Sequence, residues 1–225
     1  MQPYFFPYLG YWHLMDAVDV FILFDDVNYI KKGFINRNSI LINNEPKLIS
    51  LSLRGASQNK KIMELTLADS ENHILKTIEL AYKKSLNFDV IFPVLQSIFI
   101  NGNKSLVDFL ELSINKINSI LGIETKVLRS SQFNLDYNGR DKIIPICKEL
   151  SACTYINPIG GLLLYNGITF KENGLKLKFI NSKFIEYPQG PGKFFGGLSV
   201  IDLLMSVPMS NWVNHTKAYE EVEGE

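Results

Sequence analysis

Two rhythms of apolar residues run along this chain. VFILFDD (20–26) is an unbroken apolar run closed by two carboxylates, Asp25 and Asp26. Such a run predicts a strand buried on both faces of a sheet. Before it, Tyr11 to Ala17 predict a short helix with Trp12, Leu14 and Met15 on its apolar side, and Asp16 and Asp19 towards its end. After it, segments 34–42 and 46–53 are rich in Ile, Phe and Leu around the turn signal Asn43-Asn44, which predicts a hairpin. The period then changes. From Ser70, an N-cap candidate followed by the acidic Glu71, to Leu121 the pattern is mostly helical, and Gly122 is placed to end the last helix as its C′ residue.

The second half alternates. Strands are predicted at 124–131, 153–158 and 175–181, separated by a helix over 139–152 that must tolerate Pro145 and by a short helix beginning near Ile159. Strands spaced by short helices imply βαβ crossovers and a parallel sheet. The expected fold is α/β: a Rossmann-like, mostly parallel sheet with an inserted β-hairpin and a helical segment at about 70–121, in a single domain over 1–225. A loop rich in Pro and Gly (188–197) leads to a final helix, LSVIDLLMSV, and the acidic end EEVEGE is expected to fray. The opening MQPYFFP reads as the tail of a strand entering a loop, with no strand before it.

Composition narrows the function classes. The chain has 225 residues, 46% of them apolar, which suits one large domain and excludes wholesale disorder. Lys and Arg total 23 against 23 Asp and Glu, and the pI is near 6.8. Nucleic-acid-binding domains commonly exceed a pI of roughly 9, so no nucleic-acid partner is expected. No apolar run reaches the ~18 residues that a membrane span needs, and the N-terminus lacks the basic stretch of a signal peptide. A cytoplasmic location is the expectation. Cys147 and Cys153 are too few for a disulfide framework or a four-cysteine zinc site, and both read as buried fillers. His13, His73 and His215 share no metal spacing, and no metal site is predicted.

Four groups of residues stand where chemistry would sit. Gln2, Pro3, Tyr4, Gly10 and Tyr11 belong to a loop stiffened by Pro3 and Pro7, with Gly10 allowing close approach of a ligand. The competing reading is an aromatic turn packed on the core. Asp25, Asp26 and Asn28 fall beyond the carboxyl end of a strand, where open α/β sheets bind ligands. Adjacent strand residues point to opposite faces, so at most one of the two carboxylates is expected to enter a given pocket. Those acids suit an amine, a sugar hydroxyl or Mg²⁺; the alternative is a solvated strand end. Lys31, Lys32, Asn36, Arg37 and Asn38 concentrate positive charge on a neutral chain. That fits a small anion such as a nucleotide, a nucleotide-sugar diphosphate or an acyl phosphate, with Arg37 offering a planar fork. A charged hairpin edge is the alternative. Last come two βα turns on the same expected edge: Ser130-Ser131, and Asn157 with Gly160 and Gly161, whose backbone N–H groups can face an anion. His13, close to the first loop, ranks below all of these.

Four blocks carry a family resemblance. QPYFFPYLGYW, DVFILFDDVNYIKKGFINRN, TYINPIGG with Tyr165 downstream, and FGGLSVIDLLM resemble the WbqC-like family from the first residue to about residue 205. Members of that family occur in bacterial gene clusters for O-antigen and other surface polysaccharides, and some are labelled glycine transferases. A relative with residues upstream of the matching block would mean that the first strand is incomplete here. The order strand, P-x-x-G-Y opening a helix, buried strand is similar, more loosely, to HxGH nucleotidyltransferases and pantothenate synthetase. Those enzymes activate a group with ATP on a Rossmann-like sheet, and the likeness implies ATP with Mg²⁺ as cofactor. The histidines of that motif are replaced by Pro7 and Tyr11, so Arg37, Lys31 or Lys32 would have to take their place at the phosphates.

Two functions follow from these residues and the resemblance. In the first, an enzyme forms an amide between a small acyl or aminoacyl (glycyl) group and the amine of a nucleotide-linked amino sugar. Asp26, with Asp25 beside it, holds the amine and accepts its proton; Arg37, Lys31, Ser131, Asn157, Gly160 and Gly161 bind the anion; Gln2 and Tyr4 hydrogen-bond the acceptor. In the second, the protein binds such a nucleotide sugar or assists assembly without catalysis. The sequence holds no unmistakable nucleophile that separates the two, and it leaves the oligomeric state open.

Overall fold

Residues 1–68, 71–100 and 104–224 are described by a computed structural model. Helix α1 (Leu9–Asp16) buries Leu9, Tyr11, Trp12, His13, Leu14 and Met15, so it is enclosed on most sides rather than amphipathic. Strand β1 (Val20–Leu23) buries Phe21 and Leu23 and leaves Val20 and Ile22 half-buried. The predicted hairpin is β2 (Arg37–Ile42) and β3 (Glu45–Ser50), antiparallel, with Asn43 and Asn44 at φ 52° and 60°. Positive φ at both turn residues matches the right-handed twist of the strands, and asparagine tolerates it. Strands β4 (Leu53–Arg54) and β5 (Thr66–Leu67) form a short antiparallel pair.

The helical stretch is α2 (Glu71–Tyr82), α3 (Phe88–Ile100) and α4 (Leu106–Leu121). Gly122 ends α4 at φ 69°, the left-handed cap expected of it. The N-cap proposed at Ser70 lies outside the described residues. The remaining elements are β6 (Lys126–Arg129), α5 (Ile143–Glu149), β7 (Thr154–Pro158), α6 (Gly167–Glu172), β8 (Lys176–Ser182), α7 (Val200–Ser206), α8 (Trp212–Thr216) and β9 (Tyr219–Glu223). Pro145 falls in the first turn of α5, where its missing N–H has no intrahelical partner to lose.

The class is mixed α/β, and the pairing is partly parallel. β1 runs parallel to β6, with Leu23 opposite Arg129, and β7 runs parallel to β8. Among the described residues these ladders do not merge into the single sheet that was expected: β1–β6, β2–β3, β4–β5 and β7–β8–β9 are separate. Three local readings also change. Tyr219–Glu223 of the acidic C-terminus, expected to fray, form β9, antiparallel to β8, where its glutamates meet Lys178 of that strand and Lys183 just beyond it. Lys178 Nζ lies 2.8 Å from Glu221 and 3.5 Å from Glu223, and Lys183 pairs with Glu220. The short helix expected from Ile159 is a 3-10 turn over Ile159–Leu164, and the α-helix, α6, starts only at Gly167; Asn166 caps it by accepting from the Ile168 N–H at 2.9 Å. Cys153 is exposed rather than buried, whereas burial pushes the Cys147 thiol up to about 11 and leaves it unreactive.

The apolar faces of α2, α3 and α4 share one buried cluster with Phe5, Trp12 and Leu23. A second, smaller cluster joins Ile143, Cys147, Phe170, Leu175, Leu177 and Phe179. Two histidines are built into the main packing. His13 Nε2 donates to the His215 carbonyl at 2.8 Å, and the Nδ1 atoms of both rings are buried without a partner. Burial lowers both pKa values. A histidine held neutral in the fold favours unfolding when protonated. Its contribution is therefore complete above the unfolded value of ~6.5 and is lost as the pH falls below it. The urea midpoint at pH 5.5 is expected to lie below that at pH 7.5. Equal midpoints would contradict this.

Candidate functional site

The site forms where two parallel strands end. β1 stops at Leu23, so Asp25 and Asp26 lie on the bend beyond it and no longer alternate between faces. Both turn to the residues that follow β6, so the two carboxylates converge on one turn instead of pointing to opposite faces. Ser130 Oγ lies 2.5 Å from Asp26 Oδ1 and 3.2 Å from Asp25 Oδ1. Ser131 donates twice to Asp25, through its N–H at 3.0 Å and its hydroxyl at 2.7 Å. Asp26 Oδ2 is paired with Lys142 Nζ, and the two side chains are only 8% and 7% exposed.

The electrostatics follow from this geometry. Burial pushes the Asp26 carboxyl up, but hydrogen bonds from Lys142 and Ser130, with the charge of Lys142, more than offset it and hold the group below the usual carboxylate range. Asp26 is thus a fixed anion and a weak proton acceptor while Lys142 is in place. It suits holding an ammonium or steering an amine better than taking a proton. Lys142 sits on a 3-10 turn (Gly139–Lys142), and Arg140 of that turn donates to the Leu164 carbonyl at 3.0 Å. Leu164 closes the turn that follows β7 (Ile159–Leu164). One short segment therefore ties the ends of β1, β6 and β7 together, at the carboxyl edge where α/β folds place ligands.

The other candidates divide. Asn157 donates from Nδ2 to the Tyr155 hydroxyl at 2.6 Å. A Cβ on Gly161 would lie 2.3 Å from Asn157 Oδ1, so that glycine serves close approach of Asn157, while Gly160 is open. The Arg37 fork is occupied by main chain: Nε donates to the Gly33 carbonyl at 3.1 Å and Nη2 to that of Lys32. It closes the loop that presents the exposed Lys31 and Lys32. Asn38 is buried and donates to the Phe5 and Phe6 carbonyls at 3.2 and 2.7 Å, which makes it a clamp on the opening loop. Tyr11 is buried and its hydroxyl donates to the Gln2 carbonyl at 3.2 Å. Pro3 is buried, and a Cβ on Gly10 would meet the Tyr8 ring at 2.8 Å. Tyr4 and Tyr8 are half-buried and flank the exposed ring of Phe34, with centroids 5.6 and 5.9 Å away. Asn28 is exposed, and its backbone bridges to Lys61.

The residues present do not form a cradle for Mg-ATP. Both Asp25 oxygens and both Asp26 oxygens already have partners, the Arg37 fork is occupied, and Tyr11 is sealed in the core. No group of three or more His, Cys, Asp or Glu able to hold a metal occurs among the described residues. No helix of the described residues is long and apolar enough to cross a membrane.

The profile of the WbqC-like protein family matches residues 2–212, a span that holds every one of these side chains. The chain belongs to the WbqC-like family. It is 24% identical over 212 residues to the uncharacterized protein Rv1507c of Mycobacterium tuberculosis, covering 92% of each chain. No solved structure matches. In this WbqC-like chain, the structure brings together the two aspartates and the two serines named from the sequence, and adds Lys142, which the sequence analysis did not name. The signal was a lysine at the opening of the helix that follows the Ser130 turn. The sequence analysis also left out a buried carboxylate, Asp202, which accepts from Tyr82 at 2.8 Å, Tyr187 at 2.9 Å and Gln189 at 2.8 Å. Burial raises the Asp202 pKa, and these bonds fasten the 187–197 loop to α7.

Proposed function

We propose that this protein acts in bacterial surface-polysaccharide biosynthesis, including O-antigen, as a transferase. It would attach a small acyl or aminoacyl group, glycyl being the first candidate, to the amine of a nucleotide-linked amino sugar. The observation that carries the reading is the buried Asp26–Lys142 pair, bridged through Ser130 to Asp25 at the joined ends of β1 and β6. A cationic amine entering there meets two carboxylates, and competition with Lys142 would hand the amine to Asp26. The neighbouring Lys142 charge would then favour passage of the amine's proton to water, and would stabilise negative charge developing on the acyl oxygen as the amine nitrogen bonds to the acyl carbon and the bond from that carbon to the donor's carrier group breaks. The exposed Lys31 and Lys32 shortly precede Phe34, whose ring is flanked by Tyr4 and Tyr8, and would offer charge and a stacking face for the nucleotide.

A second reading is favoured by the number of site groups already satisfied within the protein: a nucleotide-sugar-binding or assembly role without turnover. Mass spectrometry separates the two. The protein is incubated with UDP- and dTDP-linked amino sugars and glycine, with and without ATP and Mg²⁺, or with preformed glycyl donors. The transferase reading expects a product heavier by one glycyl group, lost in Asp26→Asn. Thermal stabilisation by a nucleotide sugar with no product from any donor would favour binding alone. Turnover unchanged in Asp26→Asn would remove Asp26 from the mechanism.

A further inference from the structure

The chain that leaves β1 is paired again, antiparallel, with the segment around Lys61. The Met63 N–H donates to the Asp25 carbonyl at 2.9 Å, the Ile62 N–H to that of Val27 at 3.0 Å, and the Tyr29 N–H to that of Lys60 at 2.9 Å. Asn28 and Lys61 face each other between the last two bonds. Such a non-hydrogen-bonded pair sets its two side chains close together on one face, and both residues are exposed. Lys61 therefore stands beside Asn28, two residues and roughly 7 Å of extended chain beyond Asp26. The Glu64 carboxylate accepts from the Lys61 backbone N–H at 2.6 Å and fixes the main chain there. Lys60 does not join this face: its Nζ lies 3.5 Å from where a Cβ on Gly55 would sit, folded over its own loop.

Beyond Tyr29 the chain turns, with the Gly33 N–H donating to the Ile30 carbonyl at 3.4 Å. Lys32 sits in this turn at φ 64°, a conformation that glycine adopts freely and a long side chain only under constraint. The constraint is Arg37, which holds the carbonyls of Lys32 and Gly33. Strain kept in this way points to a use for the lysine at that position. Among the described residues Lys31, Lys32 and Lys61 have no carboxylate partner, although the chain as a whole is neutral. The Phe5 N–H donates to the Phe34 carbonyl at 2.9 Å, which brings the Phe34, Tyr4 and Tyr8 rings to the far end of the same strip.

We infer that this strip binds a nucleoside diphosphate sugar along its length: the sugar amine at Asp26, the sugar-side phosphate at Lys61 and Asn28, the nucleoside-side phosphate at Lys31 and Lys32, and the base against Phe34. The order of groups along the protein is the order of groups along the ligand. Three ammoniums without partners meet two phosphate charges, each as a point charge with several donors. The inference rests on the amino-sugar reading above and narrows its substrate to diphosphate-linked sugars, since a monophosphate link would leave Lys61 without its anion.

Calorimetric titration with UDP and UMP, and with dTDP and dTMP, tests it on the parent chain and on Lys61→Gln, Lys61→Arg and Lys32→Gln. Lys171→Gln, on the exposed side of α6, is the control. The parent is expected to bind the diphosphate at least ~tenfold more tightly than the monophosphate of the same base. Lys61→Gln is expected to lose about that factor for the diphosphate and to leave the monophosphate within ~twofold, and Lys61→Arg to restore most of the loss. Lys32→Gln is expected to weaken both. All these side chains are exposed, so the variants are expected to melt within ~2 °C of the parent. Diphosphate affinity unchanged in Lys61→Gln, or no preference for diphosphate, would overturn the strip and leave the transferase reading standing. The expected lysine pattern with no glycyl product from any donor would support the strip and overturn the transferase. A parent chain that binds none of the four nucleotides would overturn the strip together with the nucleotide-linked substrate.

Discussion

Replacing Lys142 by Met is expected to lower stability by ~3–5 kcal/mol, the cost of stranding a buried charge when its partner is removed. For a chain of this size that corresponds to a Tm loss of roughly 6–20 °C. The Lys142 and Asp26 side chains are both more than nine-tenths enclosed, and Asp26 has Ser130 as its other side-chain donor. Methionine keeps the apolar stem but leaves the carboxylate facing a methyl group. Asp26 then loses the interaction that holds its pKa down, and burial drives it upward. The acid limb of the stability curve moves accordingly, since a lowered carboxylate stabilises the fold above its unfolded value of ~3.9 and loses that contribution as the pH falls through the folded value. The variant lacks most of this acid-linked contribution. Differential scanning calorimetry between pH 4 and 7.5 reads both effects. A Tm within about 2 °C of the parent would show that the pair is too well solvated to matter.

Asn38→Ala is expected to cost ~2–3 kcal/mol, because it strands the buried Phe5 carbonyl and weakens the hold on Phe6. Phe6 has φ 40°, a conformation that a bulky residue adopts only under constraint. Ser199 Oγ also donates to the Phe6 carbonyl at 2.8 Å, so the loop retains one clamp and the fold survives. The structure therefore separates two roles that the residue type alone leaves open. If Asn38 is a clamp, the variant melts lower while KM for a nucleotide sugar, measured well below the new Tm, stays within about twofold, under ~0.5 kcal/mol of binding. An unchanged Tm with a KM raised ~tenfold or more would restore Asn38 to the binding site.

Local features were legible where local rules act. The Asn43-Asn44 hairpin and the Gly122 cap follow from turn chemistry read over a few residues, and the parallel pairing of β7 with β8 from a strand–helix–strand order; the pairing of β1 with β6, 106 positions on, was not read. The aspartates were legible as a strand end. Their convergence was not, because alternation applies only while the strand continues, and β1 ends before them. Lys142 was hidden by distance: its partner is 116 positions away, and its segment reads as an ordinary helix start. Strand β9 was hidden by polarity. EEVEGE looks solvated until the lysines at 178 and 183 are seen beside it. Arg37 and Asn38 carry donors that suit an anion, but those donors meet backbone carbonyls of their own loops, a choice that only the fold decides.

A working site at the joined ends of β1 and β6 would close around its ligand there. Amide hydrogen exchange with and without a saturating UDP- or dTDP-linked amino sugar tests it most directly. Protection is expected to concentrate at residues 25–28, 130–133 and 139–142, and to fall sharply in Asp26→Asn. Protection confined to β1 and β7, with residues 130–133 unchanged, would contradict it.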